Sequence, residues 1–199
     1  MKILVVDNGT SYLPQLKNIL SRYDFSVIRY SDIENTAADD FNAIILSGGH
    51  DFPVNGNGER LKNEIAFINT TSKPILGICF GFEVIAYTFG ATLELMQTKE
   101  KGILDIQAVE PDEIFSDIPN FNVYESHRWI LKEPGNDLIV LARSKDGIEA
   151  IKHKSKPIYG VQFHPEMFVE KTCGDEIFHN FLKQVETYSG LQGIVPANQ

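Results

Sequence analysis

Cysteine is scarce in this chain, with only Cys79 and Cys173 among 199 residues. Two cysteines do not make the dense disulfide framework of a small secreted domain, and a chain this long buries a core without staples. Basic residues are also short. Eighteen Lys and Arg stand against 27 Asp and Glu, a formal charge of −9, which argues against a nucleic-acid partner, because phosphate binding needs clustered cations. The one basic cluster, Lys152-His153-Lys154-Ser155-Lys156, lies between two strand-like runs and reads as a solvated hairpin turn. No apolar stretch approaches the roughly 20 residues needed to span a bilayer, so no membrane partner is expected. Met1-Lys2 leads straight into an apolar run, too short a prelude for a signal peptide, and a cytoplasmic location is expected. Among the five histidines no pair has the spacing of a zinc motif such as H-E-x-x-H, so neither a metal nor a cofactor is expected.

Short apolar runs recur at residues 3–6, 43–46, 74–78 and 158–163. Continuous runs of this length suit strands covered on both faces. Residues 12–23 carry apolar side chains at 13, 16, 19, 20 and 23, a helical stripe, and residues 61–68 show a similar one. The order β-α-β-β-α-β followed by a helix indicates a doubly wound α/β fold with a mostly parallel central sheet and helices on both faces. From residue 92 to 163 the texture changes to short strand-like segments at 104–109, 122–124, 138–142 and 148–152, punctuated by Gly, Pro, Asn and Asp. These read as a mixed, partly antiparallel extension of the same sheet. A last helix covers residues 175–187. Residues 1–188 are expected to form a single domain and 189–199 a loose tail.

The most informative run is Pro74-Ile75-Leu76-Gly77-Ile78-Cys79-Phe80-Gly81-Phe82-Glu83. A buried strand enters Gly-x-Cys-x-Gly and a helix follows, the cysteine form of a nucleophile elbow. The flanking glycines suit a strained backbone and a close strand–helix approach. At a helix N-terminus the dipole and free N–H groups favour the thiolate, the form that attacks carbonyls.

Such a nucleophile needs a base, and the base an orienting group. Gly160-Val161-Gln162-Phe163-His164-Pro165-Glu166 offers both. His164 ends a buried strand, and ligands in α/β sheets gather at carboxyl ends of strands. Glu166, two residues on, leaves an extended backbone on the same side and is placed to orient His164. A tetrahedral oxyanion needs two backbone donors. Phe80, directly after the nucleophile, supplies one, and Gly49 in Ser47-Gly48-Gly49-His50 the other.

Gly-Ile-Cys-Phe-Gly, Ser-Gly-Gly and Gly-Val-Gln-Phe-His-Pro-Glu, in this order and spacing, resemble the class I (triad) glutamine amidotransferases over nearly the whole chain. Several further stretches, among them Tyr124-Glu125-Ser126-His127 and Leu141-Ala142-Arg143-Ser144, look most like the separate glutaminase subunit of archaeal-type GMP synthase. The resemblance implies a glutaminase that hydrolyses L-glutamine through a Cys79 thioester and passes ammonia to an ATP-dependent synthase partner. It makes Cys79 the nucleophile, His164 the base and acid, Glu166 the orienting carboxylate, and Gly49 and Phe80 the oxyanion hole. By the same similarity Gly48, Glu83 and a loop carrying Ser126, His127, Arg128 and Trp129 hold the substrate, partly through backbone.

Three positions depart from the family pattern. The usual Gln four residues after the nucleophile is Glu83, the usual Pro after Ser-Gly-Gly is His50, and a common Tyr-Gly pair reads Lys101-Gly102. An ionised Glu83 accepts hydrogen bonds only, suits an ammonium and raises the thiol pKa. Two alternatives therefore stand beside the glutaminase: a stand-alone hydrolase of another γ-glutamyl compound, and a catalytically silent regulatory protein of the same fold.

Overall fold

The protein, seen as a computed structural model, is described for residues 1–49, 51–116, 118, 120–188 and 190. His50 and the tail expected to be loose, apart from Gly190, lie outside the described residues.

Four strands are built first from the apolar runs and their neighbour: β1 (Lys2–Asp7), β2 (Asp24–Arg29), β3 (Ala43–Leu46) and β4 (Ile75–Ile78). Helices α1 (Leu13–Ile19), α2 (Lys62–Thr70) and α3 (Phe80–Thr88) connect or follow them. β5 (Thr92–Ala108) and β6 (Asn120–Glu133) form a long hairpin, where the sequence suggested shorter strands. β7 (Leu138–Arg143), β8 (Ile148–His153), β9 (Ile158–Val161) and α4 (Gly174–Tyr188) complete the order.

All nine strands join one sheet in the order β2-β1-β3-β4-β9-β8-β6-β5-β7, and β7 also pairs with β8. The first five run parallel. The pairs β8–β9, β7–β8, β6–β8, β5–β6 and β5–β7 are antiparallel. Five antiparallel pairings against four parallel correct the expectation of a mostly parallel sheet. The cause is closure: β5, β6, β8 and β7 pair in a ring, a small barrel that leaves fewer edges to protect. β8 and β9 flank the basic cluster, as the hairpin reading required, but His153 within it is buried: its ring packs on Phe89 and its Nδ1 accepts from the Ser155 and Lys156 amides.

Alternation along β1 divides the core. Ile3 and Val5 pack with α1 and α4 through Leu16, Leu20, Phe178 and Phe181. Leu4 and Val6 face α2 and α3 through Ile68, Phe82 and Ile85. α3 is buried from Phe80 through Ala86, consistent with its apolar circumference.

Because β1, β3, β4 and β9 are parallel, their carboxyl ends share one edge of the sheet. Asn8, Ser47-Gly48-Gly49, Cys79 and residues 162–166 all emerge there. This edge is where ligands of α/β sheets bind.

The approach of β4 to α3 leaves no room for side chains. A Cβ on Gly81 would lie 2.4 Å from the Leu46 carbonyl oxygen, and one on Gly77 would lie 2.6 Å from the Gly81 backbone. Gly81→Ala is therefore expected to destabilise the fold by about 1–3 kcal/mol or more, the range for overpacking. Urea unfolding with an unchanged slope and a lower midpoint would show it; an unshifted midpoint would contradict it.

Candidate active site

Cys79 joins β4 to α3 with φ +50° and ψ −101°, a left-handed conformation unusual for a side chain larger than glycine. Such strain costs about 1–3 kcal/mol and persists only where the surroundings impose it. Here they do: the Cys79 amide donates to Val161 O at 2.8 Å, Gly81 N to Ser47 O at 3.2 Å, and Glu83 N to Cys79 O at 3.0 Å. The elbow is thus pinned to the ends of two neighbouring strands and to the first turn of its own helix.

His164 lies three residues beyond β9, not at its end, and forms an isolated bridge with Tyr124 of β6, its amide donating to Tyr124 O at 2.8 Å. The chain then turns, with Met167 N bonded to His164 O at 3.2 Å. That turn, in place of the extended run expected from the sequence, brings Glu166 Oε1 within 2.9 Å of His164 Nδ1. A carboxylate only accepts, so Nδ1 carries a proton, and in the neutral ring the lone pair is on Nε2. Both residues are buried. Gly48 marks where the elbow and the histidine meet: a Cβ there would sit 3.0 Å from His164 Cε1 and 3.7 Å from Cys79 Cβ.

Gly49 packs against the Phe80 ring, with a hypothetical Cβ 3.2 Å from its Cγ and 2.4 Å from Asn8 O. The two residues expected to supply oxyanion donors are therefore neighbours. The Ser47 hydroxyl accepts from Asn8 N at 2.9 Å and donates to Gly48 O at 2.8 Å, while Asn8 Nδ2 reaches Glu64 at 3.1 Å. Buried hydrogen bonds thus hold the glycine loop against the end of β1.

The thiol does not behave as the helix N-terminus alone would have it. Burial pushes the Cys79 pKa well above its usual 9.0, and Glu83, Glu125 and Glu166 push it further. The Phe80 N–H, which hydrogen-bonds the charged sulfur, is the one influence lowering it. Glu83 is itself buried and raised to about 7 by desolvation, against a hydrogen bond from Gln162 Nε2 at 3.4 Å and the nearby His127. A proton-bearing Glu83 has a donor and an acceptor, as a glutamine amide does.

Residues 126–129, expected in a loop, belong to β6, and strand alternation splits them. Tyr124 and Ser126 share one face, where both meet the Tyr12 hydroxyl at 3.4 Å. His127 turns inward, its Nδ1–H donating to Trp129 O at 2.9 Å and its Nε2 lying 3.2 Å from Glu125. Arg128 is exposed and Trp129 half-buried. The sequence reading missed Tyr12, whose ring meets the His164 ring edge-on at 4.7 Å, and Gln162, quoted in a motif but given no role. A tyrosine just ahead of the first helix carries no signal of its own, and only the shared sheet edge reveals it.

One consequence is measurable. The thiolate is the reactive form, so alkylation of Cys79 by iodoacetamide is expected to rise only on the alkaline side of an ordinary thiol. Glu83→Gln removes a charge that raises the thiol pKa, so its rate–pH midpoint is expected at lower pH, with faster alkylation at pH 8. A midpoint that stays put or moves upward would mean Glu83 does not act on the sulfur.

Comparison with known proteins agrees with this geometry. The family described as Glutamine amidotransferase class-I matches residues 4–185. The chain is 37% identical over 187 residues to a subunit of glutamine-hydrolyzing GMP synthase from Pyrococcus abyssi, covering 91% of this chain and 97% of that one. It is 34% identical over 187 residues to the protein of the same description from Methanocaldococcus jannaschii, covering 91% and 96%. A crystal structure from Thermoplasma acidophilum, described as that of a candidate GMP synthase subunit, superposes with a TM-score of 0.86 at 29% identity, covering 96% of this chain and 97% of that one. With a strained cysteine elbow, a histidine–glutamate pair and a glycine loop on one sheet edge, and with this match along nearly its whole length, the chain belongs to the class I glutamine amidotransferases.

Proposed function

We propose that this protein is the glutaminase subunit of a two-subunit, GMP synthase-like amidotransferase. The observation that carries the reading is the Cys79 elbow beside a histidine whose Nδ1 is held by Glu166 at 2.9 Å. His164 Nε2 takes the thiol proton as Cys79 Sγ attacks the side-chain amide carbon of glutamine. The oxyanion is held by the Phe80 and Gly49 amides. His164 then returns the proton to the leaving nitrogen, ammonia departs, and a γ-glutamyl thioester remains. Water, deprotonated by His164, releases glutamate and restores the thiol. Because the resting thiol is protonated, proton transfer and attack are coupled, and the histidine rather than the elbow supplies the activation.

The relatives' description, as one of the subunits of glutamine-hydrolyzing GMP synthase, supports an ATP-using synthase as the partner that consumes the ammonia. A role in purine biosynthesis follows from GMP as the product of such an assembly, and a cytoplasmic location belongs to the same proposal. No described helix is long and apolar enough to cross a membrane. We read residues 1–188 as one functional unit. Gly48, Ser126 and Glu83 border the glutamine in this proposal, with backbone of residues 127–129 assisting. The buried Glu83 carboxyl favours a second donor class, a γ-glutamyl compound bearing an ammonium where glutamine meets the usual amide.

An electrophilic glutamine analogue tests the reading even if turnover is slow without a partner. Labelling of Cys79 suppressed by excess glutamine is expected, read by intact mass and peptide mapping. A Cys79 that reacts with iodoacetamide but not with the analogue would refute it. Cys79→Ala is expected to fold with an unchanged thermal midpoint and release no ammonia. Glu166→Gln is expected to harm turnover about 10- to 100-fold less than His164→Ala, since orientation counts for less than proton transfer. Equal losses would contradict the assigned roles. Glu83→Gln is expected to improve kcat/KM for glutamine while worsening it for amine-bearing γ-glutamyl donors.

A further inference from the structure

The largest concentration of unsatisfied polar atoms lies outside the triad. Glu125 and His127 of β6 and Glu149 of β8 are all buried, and one ligand atom from each lies within 4.8 Å of the others. Both oxygens of Glu125 and Oε2 of Glu149 find no hydrogen-bond donor among the described residues. His127 Nδ1–H is spent on Trp129 O, so in the neutral ring it is a lone pair on Nε2 that faces Glu125 Oε2 at 3.2 Å. Two carboxyl groups and an imidazole nitrogen therefore converge on one buried spot. No Lys or Arg pairs with either carboxylate among the described residues, and Glu100 and Asp146 add to the negative surroundings of Glu125.

The support around these donors is that of a metal site. A ligating histidine usually donates its other N–H to a carbonyl or carboxylate, as His127 does to Trp129. Ligating carboxylates are in turn held by hydrogen bonds, and the Ser144 hydroxyl donates to Glu149 Oε1 at 2.5 Å. The place also suits a clamp. β6 and β8 pair only at Leu131↔Ile148, so the ladder supplies little to hold the strands together beside Tyr124, whose carbonyl anchors His164.

We propose that Glu125, His127 and Glu149 bind one divalent transition-metal ion that ties β6 to β8 next to the catalytic histidine. A two-carboxylate, one-imidazole set suits zinc, manganese or cobalt, the nitrogen counting against magnesium and calcium. The Glu-x-His spacing on one strand, completed from another, is invisible to a search for helical zinc motifs, and it revises the expectation of no metal.

The test uses the full chain, stripped with chelator and then titrated with Co²⁺. About one equivalent retained after desalting is expected, with ligand-field bands and no thiolate charge-transfer band. The same uptake is expected in a Cys79→Ala/Cys173→Ser protein. His127→Asn and Glu149→Gln are expected to lose retention, and Ser144→Ala to bind about 10- to 100-fold more weakly. Negligible retention by the wild type would overturn the proposal and leave protons as the cluster's only occupants. A thiolate band, or equal affinity in the variants, would overturn it as well. Should both ligand variants fail to fold, Ser144→Ala decides alone, because it keeps all three donors: weaker binding supports the site and unchanged binding refutes it.

Discussion

The close approach of β4 to α3 is the constraint on which the site depends. Only because Gly77 and Gly81 lack Cβ atoms does the helix begin directly above the strand, and only then is Cys79 driven to φ +50°. The same contact sets the Gly81 amide on Ser47 O, which ties the elbow to the glycine loop. The Ser47 hydroxyl in turn bonds Asn8, so three strand ends are locked by one steric fact. A side chain at either glycine would separate helix from sheet and move Cys79 away from His164.

Much of this was legible in the residues. The apolar runs placed β1, β3, β4 and β9, and the stripes α1, α2 and α4, to within a few positions, whereas β2, half-exposed along its length, carries no such run. The elbow was readable because glycine, cysteine and glycine at that spacing have few other uses. The histidine–glutamate pair was legible as chemistry but not as geometry, since the turn from His164 to Met167 depends on the bridge to Tyr124, far away in sequence. The antiparallel barrel was the larger miss. β5 and β6 are long, with polar outward faces and a register slip between Leu95 and Glu100, so their apolar signal breaks into short pieces.

Electrostatics were the least legible. A helix N-terminus suggested an activated thiolate, yet burial and three carboxyl groups outweigh it. Composition records the chain's negative charge but not its location. Four acidic groups with raised pKa values, Glu64, Glu83, Glu125 and Glu149, sit inside the protein instead of on its surface. Carboxyls in the interior come at a cost to folding unless something is gained by holding them there. Glu83 beside the thiol and the Glu125–His127–Glu149 group beside the histidine's anchor are where that gain is expected.

The protonated resting state of Cys79 also bears on durability. Peroxide attacks the thiolate, and the oxidation ladder beyond the sulfenic acid is largely irreversible. A sulfur kept as a neutral thiol, 5% exposed, until a base draws off its proton is shielded chemically as well as sterically. The carboxyls that raise the thiol pKa are thereby expected to slow its oxidation as well.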